Sequence, residues 1–411
     1  MEERARDKKR NPYFVLCALA AATALFPLAC DYIMEGGIVA EWVARVKEIA
    51  EGFRNGNLHM FSGLEVRMAT GITVNAMNSN FWFFIPGILY LLTEDMVLAY
   101  RIFMLLVQVC TFLGALLCFK RIFHQRRIGL GACMGVILYM TNPYRIYVCY
   151  DKANLSQAVA WMLLPLYVWA IYGLFGGDIS FKDFLIAALA LAGIGYADAV
   201  FFIAVAGITI LTEIAARKPF PCTAVAAGCL LSFPELLRLG RHLFTEEFAE
   251  WEMPLQMIMQ KGYHFGQFFS SYAFRDEKPG MGLGMMICLL TLLWLKLVRR
   301  EKETDMTKRY FLYIALVFAV LSLSCFPWDV LQRMGVWSIK LISLIGTPAV
   351  FWGMAMAAFC VPASGSLERV AQCENKFAAN MITVMVVLFC VGICVYQCNT
   401  LTFGRLPMNI G

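Results

Sequence analysis

Residues 81–92 read FWFFIPGILYLL, an apolar stretch barely long enough to span a bilayer and interrupted by Pro86-Gly87. Its reading decides the topology of all that follows, because a crossing here would move every later loop to the other side of the membrane. The chain around it is unsuited to water. Of its 411 residues, 60% are apolar and 16% charged, too few charges to clothe a soluble surface of that size. Apolar runs of about 16 to 22 residues recur from Pro12 to Tyr396, each long enough to cross a hydrocarbon core of about 30 Å. The expected class is an all-α polytopic membrane protein.

Loop charge arbitrates the doubtful stretch, since cytoplasmic loops carry the excess of Lys and Arg. If 81–92 stays in the outer interface, the cytoplasmic segments hold 20 of the 35 Lys/Arg. If it crosses, the two densest basic loops, KRIFHQRR (Lys120–Arg127) and KLVRREKETDMTKR (Lys296–Arg309), both fall outside. The first arrangement predicts eleven crossings near 13–30, 99–118, 128–148, 155–175, 182–196, 199–215, 220–236, 281–297, 310–325, 341–361 and 380–396. The N-terminus is then cytoplasmic and the C-terminus outside. Residues 1–411 form a single membrane domain with a cytoplasmic tail at 1–12, large outer loops at 31–97 and 237–280, and an outer tail at 397–411. The outer side receives 18 of the 29 Asp/Glu, which makes it the acidic face and the place to look for chemistry. The start, MEERARDKKRNP, resembles a signal-peptide n-region, but no clean A-x-A-like site follows, so Tyr13–Cys30 is read as a retained anchor.

The first outer loop contains GGIVAEWVARVKEIAEGFRNGN, Gly36–Asn57. Ile38, Trp42, Val46, Ile49 and Phe53 fall on one stripe of a 3.6-residue helix, and Glu41, Arg45, Lys47, Glu48, Glu51 and Arg54 fill the rest. Such a helix lies at the interface with its stripe toward acyl chains or toward the bundle. It can simply close the outer end of the bundle, or it can present acid and base to a site at the membrane surface. Asp198 interrupts two apolar runs and is expected in a tight outer turn. The second outer loop is rich in aromatics, Trp251, Tyr263, Phe265, Phe268, Phe269, Tyr272 and Phe274, which suit sugar rings or an interfacial element equally. Most of the fifteen Cys lie in apolar runs, where a thiol is a small hydrophobe, and no CxxC pair exists. The four His are scattered, so neither a zinc nor a haem site is suggested.

Taken in order, several stretches resemble those of the YfhO-like bacterial membrane proteins, within the GT-C group of polyprenyl-phosphate-sugar glycosyltransferases. They are the helix above, FWFFIPGILYLL with LAYRIFMLLVQVCTFLGALLCFKRIF, then NPYRIYVCYDKANLSQAVAWMLLPLYVWAIYGLF (Asn142–Phe175), PGMGLGMMICLL and LSCFPWDVL. Together they cover roughly residues 1–360. The resemblance implies a GT-C-like bundle with juxtamembrane helices in its first outer loop. It also implies sugar transfer from an undecaprenyl-phosphate-type donor on the outer face, a carboxylate acting as general base and basic residues holding the lipid phosphate.

Aligned through AEGFRNG, the family acid falls on Ile38 and its Phe-His pair on Glu41 and Trp42, while Arg45 matches the family arginine. Lys152 stands where the family has Arg, Gln157 where it has Glu, and Val350 where it has Arg. The candidate bases are therefore Glu41 first, then Glu35 and Asp31. The candidate donor-binding residues are Arg45, Tyr144, Arg145, Tyr150, Lys152 and Gln157, with Arg145 and Lys152 equally readable as snorkelling anchors. The residues call for no particular cofactor and leave a divalent cation open. Expected partners are a polyprenyl-phosphate-sugar lipid, membrane lipids and a partner membrane subunit, with no nucleic acid. The expected location is the bacterial plasma membrane. Two other readings stay open: a degenerate GT-C-fold subunit or lipid-glycan binding protein, and a transporter or flippase.

Overall fold

The computed structural model describes residues 11–34, 38–56, 79–176, 180–216, 220–244, 258–270, 278–299, 306–372, 376–404 and 407. Among them the secondary structure is helical, and the strand pairing consists of two isolated bridges, Met34 with Pro407 and Tyr263 with Leu323. In chain order the main helices are α1 (Pro12–Thr23), α2 (Val39–Arg54), α3 (Phe84–Thr93), α4 (Met96–Ile122), α5 (Leu130–Met140), α6 (Leu155–Gly176), α7 (Phe181–Ala197) and α8 (Ala199–Ala216). They continue with α9 (Phe220–Leu231), α10 (Phe233–Phe244), α11 (Gly282–Leu297), α12 (Met306–Ser322), α13 (Val336–Ile345), α14 (Ala349–Gln372) and α15 (Lys376–Gly404). By length and composition α4, α6, α8, α14 and α15 can each cross a membrane, while α1, α9 and α11 are apolar but shorter. The protein is a multi-pass helical bundle; the helices fall where the apolar runs are, and the number of crossings is a separate matter from their positions.

Two expected runs are divided by backbone chemistry. The run at 220–236 stops at Leu231 and restarts at Phe233, where Pro234 occupies the first turn of α10 and suits a helix start rather than an interior. The run at 341–361 is split between α13, which ends at Ile345, and α14, which begins at Ala349, because Gly346 takes φ +59° and Pro348 cannot continue α13. The doubtful stretch at 81–92 becomes α3, ten residues and about 15 Å long, too short to span. Both its ends are tied to the same side of the bundle: Trp82 donates to the Gly193 carbonyl near the end of α7, and Glu94 pairs with Arg54 at 3.7 Å.

The centre is α5, buried from Gly131 to Met140, enclosed by α1, α4 and α14. On one flank α6 lies between α4 and α7; on the other α14 carries α12 and α11. Close approach is built in with glycine: a Cβ on Gly353 of α14 would sit 2.4 Å from the Tyr144 ring. Past α5 the chain reads Asn142-Pro143. Asn142 Oδ1 accepts from the Tyr144 and Arg145 N–H groups and starts a four-residue helix with Pro at its first position. A π-helical turn, Tyr147–Asp151, follows.

That break turns Arg145 inward, so it does not snorkel at an outer end; the side chain is 1% exposed. Its guanidinium donates to the Met140 carbonyl at 2.9 Å and to Gln108 Oε1 on α4. Gln108 Nε2 donates 3.0 Å to Tyr150 Oη, which donates to the Ala24 carbonyl at 2.7 Å. The chain of bonds fastens the end of α1, the middle of α4 and the π turn together. Long-range pairing also marks two opposite ends. At one, Arg121 makes a two-bond contact with Asp183, and Glu368 meets Gln125 and Lys308. At the other lie Asp31 with Arg101, α2, Lys152 and Asp198. The first is the basic end and the second the acidic one.

Replacing Gln108 with Leu leaves a buried cationic donor unpaired, an expected loss of at least about 2 kcal/mol, read as a fall in detergent melting temperature. Adding Arg145→Met to that variant is expected to restore part of the loss; a further fall would show that the Arg145 charge has another anchor. Gly353→Ala is expected to destabilise by about 1–3 kcal/mol through overpacking, whereas Gly207→Ala, with nothing within 4 Å of the added carbon, is expected to have no such cost.

Candidate functional site

The helix α2 packs its stripe onto the bundle rather than onto acyl chains. Trp42, Val46 and Ile49 are buried, Trp42 stacks on Tyr100 of α4 at 5.2 Å, and Phe53 meets Phe84 edge-on. The buried face is wider than the five-residue stripe, since Val39, Val43 and Ala50 join it. Arg45 joins it too, and this corrects its placement on the polar face: it is 1% exposed. Its Nε and Nη2 donate to Asn80 Oδ1 at 3.1 and 2.7 Å, Nη2 also donates to the Ser79 carbonyl at 2.9 Å, and the guanidinium lies 4.1 Å above the Phe83 ring. The remaining nitrogen, Nη1, stands 3.7 Å from Glu41 Oε1 one turn back. A buried cation is tolerated because it is bonded and stacked on all these sides.

The electrostatics of the pair run in opposite directions. Burial raises the Glu41 carboxyl above its ordinary value, and the Arg45 charge pulls it back only in part. Burial draws Arg45 down to about 10; Glu41 opposes, Arg238 adds to the depression, and Glu235 and Glu48 oppose it. Glu235 and Arg238 belong to α10 and are paired with each other, Arg238 Nε lying 3.1 Å from Glu235 Oε2. The Glu235–Arg238 pair of α10 is thus close enough to act electrostatically on the Glu41–Arg45 pair of α2, and the four make up one charged cluster. The E-x-x-R spacing of FPELLR was a visible helical ion-pair signal, but the expected crossing at 220–236 took in Glu235 and left Arg238 in the outer loop.

Lys152 adjoins this cluster through the backbone: its carbonyl accepts from the Ile38 N–H at 3.3 Å, at the start of α2, one turn before Glu41. Burial lowers the Lys152 ammonium, and Asp198 opposes the shift. Asp198 sits in the turn between α7 and α8, as expected, with Oδ1 accepting from the Phe201 N–H at 2.9 Å. Gln157 is buried in the first turn of α6, and its Oε1 has no hydrogen bond among the described residues.

The other candidates lie apart from the cluster. Asp31 is exposed and pairs with Arg101 at 2.9 Å, and Glu35 falls outside the described residues. Arg145 and Tyr150 are held in the core by Gln108. Tyr144 is buried beneath Gly353. Of the second-loop aromatics, Phe268 stacks on Trp352 at 4.0 Å and Tyr263 bonds the Pro279 carbonyl, while Phe265 and Phe269 stay exposed; Trp251, Tyr272 and Phe274 lie outside the described residues. Among the described residues no three His, Cys, Asp or Glu side chains converge, and both acids of the cluster face guanidinium groups.

No family model matches the chain, and no curated protein matches it. Solved structures do. The apo crystal structure of the Archaeoglobus fulgidus oligosaccharyltransferase aligns with a TM-score of 0.58 and 11% identity over 97% of this chain and 56% of that one. The archaeal oligosaccharyltransferase AglB from the same organism, in complex with an inhibitory peptide and a dolichol-phosphate, aligns at 0.52 and 12% over 97% and 56%. A third structure, that oligosaccharyltransferase in complex with Zn and sulfate, aligns at 0.50 and 13% over 96% and 54%. The chain therefore spans little more than half the length of these proteins. At such identities the likeness is one of fold: this protein shares the helical membrane bundle of these oligosaccharyltransferases, with α2 and α3 as helices packed at one end of it.

Proposed function

We propose that the protein is a membrane glycosyltransferase of GT-C type, a divergent relative of the YfhO-like proteins, working with a polyprenyl-phosphate-linked sugar at the acidic end of the bundle. The observation that carries this is Glu41, a carboxylate raised by burial and held in place by Arg45, on a helix that starts against Lys152. A raised carboxylate is a better proton acceptor at neutral pH than a free one. In the proposed step Glu41 takes the proton of the acceptor hydroxyl, the acceptor oxygen bonds to the anomeric carbon, and the bond from that carbon to the phosphate oxygen breaks with its electron pair going to the phosphate. The leaving phosphate is met by the Lys152 ammonium and by the N-terminus of α2.

Arg45 takes a different part from the phosphate clamp expected of it. Its Nε and Nη2 are committed to Asn80 and Ser79 and its Nη1 faces Glu41, so it positions the base. Ile38 occupies the aligned place of the family acid without a carboxylate, and Glu41, three residues on, stands in for it. In this reading the acidic end faces outward across a bacterial plasma membrane, the basic end faces the cytoplasm, and the lipid carrier is the principal partner. The AglB complex with dolichol-phosphate supports a lipid phosphate as ligand of this fold.

The test is reconstitution with a short-chain polyprenyl-phosphate sugar. Glu41→Gln is expected to lower turnover by about 10²-fold or more with donor binding kept, and Lys152→Ala to weaken donor binding by about tenfold. Full turnover in Glu41→Gln would remove Glu41 as the base. Donor binding without turnover in the wild type would instead favour a lipid-glycan binding protein, and no binding at all would sink both readings. The rate should rise with pH through the titration of Glu41, above the ordinary carboxylate value of 4.5 because burial dominates, and this limb should vanish in whatever activity Glu41→Gln retains.

A further inference from the structure

A cavity of about 450 Å³ opens on the side of the bundle in its basic half, far from the cluster around Glu41. Its walls are apolar and come chiefly from three helices. The lining runs from Leu164 to Gly176 on α6, from Val205 to Ala216 on α8 and from Met306 to Phe318 on α12. Each stretch is about 16–18 Å long at 1.5 Å per residue, which matches the depth of one leaflet, half of a hydrocarbon core of about 30 Å. The floor is made by Tyr139 and Met354 near the middle of the bundle, and the mouth by His124, Tyr172 and Tyr310. At that mouth His124 Nε2 and Tyr172 Oη lie 3.0 Å apart.

Among the described residues the charges around the mouth are net positive. Among them two neighbouring acids are paired with cations, Asp183 with Arg121 and Glu368 with Lys308, and the third, Glu213, accepts from the Cys222 thiol on α9. Lys120, Arg126 and Lys182 form no ion pair among the described residues, and the Lys182 ammonium rests 5.9 Å from the Trp169 ring centre. An apolar slot one leaflet deep, with surplus cations and imidazole and phenol groups at its rim, fits one kind of occupant. We propose that it holds an acyl chain of an anionic glycerophospholipid from the leaflet at the basic end, with the headgroup phosphate among His124, Tyr172 and Arg126. The slot stops near the bundle's middle, so it takes a chain of leaflet length from that side. The site is independent of the transferase reading and stands or falls apart from it.

The test is native mass spectrometry of the full chain in detergent, with phosphatidylglycerol and phosphatidylcholine of identical chains offered in competition. One phosphatidylglycerol per chain is expected to survive, favoured about tenfold or more over phosphatidylcholine. Ala357→Trp on α14 and Ile208→Trp on α8, which fill the slot from two walls, should each cut occupancy about tenfold. Leu189→Trp, on the exposed face of α7, should leave it unchanged. The double variant His124→Ala, Arg126→Gln should bring the two lipids to near-equal occupancy while a bound lipid is still seen. Equal binding of the two lipids by the wild type, or an equal loss in Leu189→Trp, would overturn the proposal. Displacement of phosphatidylglycerol by a polyprenyl phosphate at equal concentration would overturn it too, and would give the slot to the lipid carrier.

Discussion

A guanidinium group in the middle of a helical bundle is what the rest of this architecture accommodates. Arg145 cannot be left without partners in a low-dielectric interior, so α5 is broken at Asn142-Pro143 and the chain re-forms as a short helix and a π turn that face it inward. The partners it then finds are neutral: Gln108 on α4 and the Met140 carbonyl. Gln108 in turn holds Tyr150, and Tyr150 holds the Ala24 carbonyl at the end of α1. One buried charge thereby sets the relative depth of three chain segments. It also fixes where the π turn ends, at Lys152, whose carbonyl accepts from the Ile38 N–H just before the first turn of α2. The surface site is placed by the core bond.

At that surface the balance of two opposing effects gives Glu41 its character. Were it exposed, Arg45 at 3.7 Å would hold it ionised as an ordinary ion-pair carboxylate. Burial outweighs the ion pair, so its proton affinity is raised while the guanidinium still restrains its position. Arg45 can serve in this way because Ser79, Asn80 and the Phe83 ring hold it on the remaining sides. A lysine would supply the charge but neither the fork nor the stack.

Much of this was legible in the sequence, for reasons that also explain what was not. The apolar runs place the helices because hydrocarbon admits only segments that satisfy their own backbone. Asp198 was legible as a turn residue because a carboxylate at membrane depth is costly. The stripe Ile38, Trp42, Val46, Ile49 and Phe53 gave α2 and its orientation, but not the burial of Arg45. That depends on Ser79 and Asn80, more than thirty residues away, reaching it in space. Arg145 was misplaced for a related reason. Sequence gives its distance from a run's end, whereas the π turn that reorients it comes from tertiary packing. The Glu235–Arg238 pair was missed because a crossing ending at 236 was drawn through Pro234 and separated the two, where hydropathy outweighed the helix-start signal of proline.

The aligned loss of an acid at Ile38 then takes on a structural meaning. Ile38 precedes the first turn of α2, and its backbone N–H is spent on the Lys152 carbonyl. Glu41, in the first turn, has its carboxylate near the helix N-terminus, where the macrodipole favours negative charge, and burial opposes that preference. In the proposed reading the acid stands in the first turn rather than at the helix start, as a partly desolvated carboxylate restrained by Arg45. Such a group responds more strongly to what arrives. A phosphate brought near Lys152 would add negative charge beside Glu41 and raise its proton affinity further. If the proposed transferase reading holds, carrier binding and proton acceptance are coupled through the turn that joins Lys152 to α2, and the sense of the coupling follows from the charges: a bound donor would strengthen the base.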